Sequence, residues 1–73
     1  MKSKQIKEGS SAKEVFEEIS RLDKEFRTEF KRSPRVNLVY SSSGLKSSQK
    51  HFVSVWYEED TKSDLDWFIL KTK

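Results

Sequence analysis

The chain predicts a small α+β domain, one N-terminal helix packed on a three-stranded antiparallel meander in the order helix, strand, strand, strand (αβββ). Two kinds of periodicity predict it. Apolar residues recur at three- and four-residue spacing over residues 11–32, and short alternating or aromatic-rich runs follow at 35–40, 51–57 and 66–72. The connections between those runs are short and polar, which favours sequential strands pairing with the helix across one face.

At 73 residues the chain is one domain near the lower size at which a single core sustains folding. Its 33% apolar and 37% charged content lies close to the disordered boundary, and 12% aromatic residues move it back towards a folded domain. With no cysteine, disulfides and thiolate zinc sites are excluded and the redox compartment stays open. Neither a membrane-length apolar run nor a signal-peptide core is present, so a soluble, cytoplasmic protein without a membrane partner is the expectation.

Residues 1–9 lack periodicity and read as a flexible basic tail carrying Lys2, Lys4 and Lys7, ahead of a single domain over 10–73. The helix opens on a capping box: Ser11 accepts from the Glu14 backbone N–H, and the Glu14 carboxylate reaches back to the Ser11 N–H. Ala12, Val15, Phe16, Ile19, Leu22, Phe26 and Phe30 then form one apolar stripe. Pro34 disfavours helical geometry at Ser33, and Lys31 and Arg32 suit the negative end of the helix dipole.

RVNLVY places Val36, Leu38 and Tyr40 on one strand face and Arg35, Asn37 and Val39 on the other. HFVSVWY, residues 51–57, carries Val53, Val55 and Tyr57 on one face with Phe52 and Trp56 on the other. DWFILKT reads as the third strand, with either of its faces apolar enough to be buried. Burying Val36, Leu38 and Tyr40 with Val53, Val55 and Tyr57 leaves Val39, Phe52, Trp56 and, from the third strand, Trp67 on a face that one helix cannot cover.

Net charge is only +3, but the charges are segregated. Arg35, Lys46 and Lys50 have no acid among them, whereas Glu58, Glu59, Asp60, Asp64 and Asp66 follow with Lys62 alone for balance. A meander gathers Lys46, Lys50, His51, Lys71 and Lys73 with the N-terminal tail and the helix N-terminus at one basic pole, and the acids at the other.

Catalysis finds little support. His51 is the only histidine, no nucleophile elbow or phosphate-cradling loop is present, and the acids after Tyr57 match no calcium-loop spacing. The expectation is a non-enzymatic chain without catalytic, metal-binding or cofactor-binding residues.

The string PRVNLVY, following a helix that contains KEVFEEISRL, resembles the small Alu-domain proteins of the signal recognition particle, of the nine-kilodalton subunit type. FVSVWYEED and LDWFILKTK resemble that family's second and third strands, so the resemblance spans roughly residues 12–73. It implies a heterodimer whose joined sheets bind RNA on the face away from the helices, with Arg35 as an RNA contact. The chain departs from the family in stopping where a second helix would begin and in a longer 41–50 loop, closer to the basic loop of the fourteen-kilodalton partner.

The sequence therefore favours a nucleic-acid-binding module, with RNA as the expected ligand. Lys46, Lys50, His51, Lys71 and Lys73 supply the phosphate contacts, with Arg35 beside them as the resemblance implies, and Trp56 a stacking surface. The alternative is an adaptor or inhibitor that binds a protein, or dimerises, through Val39, Phe52, Trp56 and Trp67.

Overall fold

The computed structural model describes residues 1–73. The order is β1 (Lys2–Gly9), α1 (Ala12–Phe30), β2 (Asn37–Ser43), β3 (Lys50–Tyr57), a 3-10 turn at Glu59–Thr61 and α2 (Lys62–Lys71). The three strands form one antiparallel sheet in the order β1-β3-β2. This corrects the expected αβββ meander at both ends of the chain: a strand precedes α1, and the last element is a helix.

Residues 1–9 are not a free tail. Lys2 to Gly9 pair antiparallel with β3 from Tyr57 back to His51, and the register shifts between Gln5 and Lys7. At that bulge Ile6, the one aliphatic residue of the segment, packs against the core. Backbone pairing thus recruits a stretch with almost no apolar pattern of its own.

Helix α1 follows the sequence closely. Ser11 is the N-cap and accepts the Glu14 N–H at 3.2 Å. The Glu14 carboxylate takes the backbone N–H of Ser10 at 3.3 Å and the Ser10 hydroxyl, rather than the Ser11 N–H. At the other end Lys31 turns left-handed, with φ 59°, and its N–H closes on the Arg27 carbonyl at 3.0 Å. Val15, Leu22 and Phe26 are buried, whereas Phe16 and Phe30 at the flanks of the stripe stay 54% and 41% exposed.

Residues 66–72 are not a strand. The Glu58 N–H donates to the Thr61 hydroxyl, which donates back to the Glu58 carbonyl, and α2 starts directly behind that turn. Asp64, Leu65 and Phe68 share its buried face, the three- and four-residue spacing of a helix. Phe68 stacks on Phe26 of α1, with ring centroids 5.4 Å apart, and Trp67 packs edge-on against the same ring at 5.2 Å.

The core joins Leu22, Phe26, Val36, Val55, Leu65 and Phe68, with Leu38 and Tyr57 against it. Val36, Val53 and Val55 are buried and Leu38, Tyr40 and Tyr57 partly buried, as the alternation predicts. Both helices thus cover the same sheet face, and the other face carries no element.

A half-buried ion pair fastens α2 to the end of α1. The Asp64 carboxylate, 5% exposed, takes two bonds from the Arg32 guanidinium at 2.9 and 3.0 Å and the Arg35 backbone N–H at 2.9 Å. The Arg32 guanidinium also lies over the rings of Phe26 and Phe30, 5.0 and 5.5 Å from their centroids.

Candidate functional site

Strand alternation and register define the open face. On central strand β3, Phe52, Ser54 and Trp56 point away from the helices. Trp56 is flanked by Ser3 and Asn37, Ser54 by Gln5 and Val39, and Phe52 by Glu8 and Ser41. Trp56 is 42% exposed, Phe52 and Val39 are partly buried, and Ser54 between the two rings is 5% exposed. The Ser54 and Ser41 hydroxyls meet at 2.7 Å, so the small polar groups inside this face are satisfied. Four residues along a strand place the two aromatic rings about 13 Å apart.

The face is almost free of charge. Its one acid, Glu8, lies 3.9 Å from Lys50 at the sheet end where the exposed 44–49 loop carries Lys46. Val39, Phe52 and Trp56 are brought together as the sequence expected, with Lys46 and Lys50 near one end and Arg35, whose side chain is exposed, preceding β2 at the other.

Four of the expected residues lie elsewhere. His51 points to the helix side, where its Nδ1 is 2.6 Å from the Tyr40 hydroxyl and Tyr40 stacks on Phe16 at 5.1 Å. Trp67 is on α2 among Phe26, Phe30 and Phe68, with its indole N–H donating to Glu29 at 2.6 Å. Lys71 lies over the Trp67 ring at 5.4 Å. Because α2 begins beyond the Tyr57 end of β3 and packs on the C-terminal half of α1, Lys71 and Lys73 belong to that end of the molecule. They do not join Lys46 and Lys50.

The N-terminal lysines are also dispersed. The Lys2 ammonium bonds Glu59, which raises the lysine pKa and lowers that of the carboxyl. Lys7 donates to Glu18 at 2.6 Å. Burial pulls the Glu18 carboxyl upward, yet the bonds from Lys7 and Arg21 together outweigh it and hold the group below its ordinary value. The single basic pole is therefore replaced by local ion pairs along β1.

The one groove, about 340 Å³, lies on the helix side between α1 and β2, lined by Ile19, Asp23, Arg27, Pro34 and Leu38 among others. Asp23 and Arg27 in it already bond each other at 2.9 Å. No group of three His, Asp or Glu side chains converges to hold a metal ion, and no helix is long and apolar enough to cross a membrane.

Sequence reasoning did not single out Phe16 as a surface residue, because it counted Phe16 into one apolar stripe with Val15, Leu22 and Phe26. The signal was present: Phe16 follows Val15 directly, and two adjacent residues lie about 100° apart around a helix, so both cannot point at the same core. No protein-family model, curated protein or solved structure matches this chain.

Proposed function

We propose that this chain is a non-enzymatic protein-interaction module whose open sheet face docks an apolar surface of a partner protein. The observation that carries the reading is Trp56, 42% exposed on a helix-free face, flanked by uncharged Ser3 and Asn37 and with Gln5 and Val39 one pair further along. An exposed aromatic in an uncharged surround has the aromatic, charge-poor character of an interface centre rather than of a phosphate track. Phosphate recognition needs free cations beside the rings. Here Lys50 is near Glu8, Lys2 and Lys7 bond Glu59 and Glu18, His51 and Lys71 lie away from the face, and the exposed Lys46 and Arg35 stand at its two ends rather than beside the rings.

The test is site-specific photo-crosslinking in the cells that make the protein, with Trp56→p-benzoylphenylalanine compared with Glu17→p-benzoylphenylalanine on the exposed side of α1. A discrete protein adduct from position 56, absent from position 17, is the expected result. In parallel, anisotropy with single-stranded RNA and DNA across a salt series should show no saturable binding near micromolar. Nucleic-acid binding that weakens on Trp56→Ala and tightens as salt falls returns the case to the RNA-binding reading.

A further inference from the structure

The two edges of the sheet are built differently. β1 carries Lys2, Lys4, Lys7 and Glu8 and breaks register between Gln5 and Lys7. Charges and a bulge of this kind keep an edge from pairing with another chain. β2, Asn37–Ser43, has no charged residue in its seven positions and pairs with β3 without a shift. Its far side is an edge, a row of backbone groups with no strand to take them.

A second feature sits over the middle of that edge. Tyr40 is the central residue of β2, and on it stacks Phe16, at 5.1 Å between centroids and 20° between planes. Phe16 remains 54% exposed. An aromatic ring held in place by another ring, on a helix flank beside a bare strand edge, is an anchor without a pocket.

We propose that β2 pairs antiparallel with β2 of a second copy of this chain. The product is a continuous six-stranded sheet, β1-β3-β2-β2-β3-β1, with the two Phe16 rings facing each other across the two-fold axis. A two-fold axis through the middle of β2 maps the edge onto itself, and the self-pairing brings no like charges opposite one another. Pairing β1 with β1 would instead set lysines against lysines.

A foreign strand on the β2 edge would satisfy the backbone and leave Phe16 uncovered. A second copy satisfies both, because the same symmetry brings its own α1 to the same side of the sheet. The two open faces would become coplanar, each with its Val39, Phe52 and Trp56. This inference is independent of what those faces bind.

The experiment is sedimentation velocity on the full chain over a concentration series, with amide hydrogen exchange measured at both ends of the series. The expected result is a monomer–dimer equilibrium in which β2 amides exchange more slowly at the dimer end. Phe16→Glu should weaken dimerisation at least about tenfold, as expected for an anchor residue. Circular dichroism should be unchanged in that variant, since the ring is half exposed. Trp56→Glu should dimerise like the wild type. A wild type that stays monomeric throughout overturns the proposal. So does a dimer that Trp56→Glu dissociates and Phe16→Glu does not, or one in which β2 exchange is the same at both ends of the series. The last measurement uses only the wild type and decides the matter even if a variant fails to fold.

Discussion

Asp64 shows how much of this small fold rests on a single side chain. It lies in the first turn of α2, where a carboxylate suits the positive end of the helix dipole, yet its hydrogen bonds go to Arg32 and the Arg35 N–H across the domain. The Arg32 bonds, opposed by burial and helped by the Arg35 N–H, hold its pKa below the ordinary 3.8. A carboxyl lowered on folding contributes stability that is complete above the unfolded value and is lost as pH falls through the folded one. Asp64→Ala should therefore cost about 1.5–3 kcal/mol at pH 7, the range for hydrogen bonds to a charged group. The gap from wild type should close progressively below about pH 4. Urea midpoints for the two proteins between pH 7 and pH 2 check this, and a gap independent of pH would mean the loss is packing alone. At this scale the sequence was partly legible. The Ser11 cap and the Pro34 stop were readable because caps are local. Arg32 and Asp64 were visible only as a dipole complement and one acid among five, since their pairing depends on a packing of elements that no local pattern encodes.

At the scale of elements, the legible parts are those whose apolar period is strong. The stripe of α1 and the alternation of β2 and β3 are clear, and the burial found agrees with them at Val15, Leu22, Phe26, Val36, Val53 and Val55, though not at Phe16 and Phe30. The two misread segments fail for opposite reasons. KSKQIKEG has too little apolar pattern to show a strand, because an edge strand held by backbone pairs needs little. DLDWFILK has too much, a run apolar at four consecutive positions in which a period of two and a period of 3.6 fit equally. Thr61-x-x-Asp64 ahead of that run has the spacing of a helix start, a signal that the strand reading did not use. Paired substitutions separate the two periods. In a strand Phe68 and Leu70 share a face, whereas in α2 Phe68 is buried and Leu70 is 65% exposed. Phe68→Ala should cost about 3–5 kcal/mol and Leu70→Ala no more than about 0.5 kcal/mol by urea unfolding. Equal costs would restore the strand.

The whole molecule is ordered by a strand that arrives first and a partner that arrives third. β1 and β2 both run antiparallel to β3 and flank it, so α1 must cross the sheet to connect them. The basic N-terminal segment and the acidic turn after β3, which the sequence separates by some fifty positions, therefore meet: Lys2 bonds Glu59, and the chain's amino group lies 3.9 Å from Glu58. The opposed charge blocks match a contact within the fold rather than two poles. These pairs are exposed, and exposed ion pairs contribute little, so the bond that matters is the β1–β3 ladder and the seating of Ile6. Deleting residues 1–9 discriminates between the tail and the strand. Removal of a solvated tail changes stability by no more than about 0.5 kcal/mol. Removal of β1 makes β3 an edge, uncovers the core beside Val53 and Val55, and leaves two strands, too few for a sheet of independent stability. The shortened chain should lose cooperative urea unfolding and the dispersion of its amide proton resonances, and should bind an apolar dye that the full chain does not. Retention of the full-length midpoint would show that α1, β2, β3 and α2 suffice, and that the N-terminal pairing is not what holds the sheet.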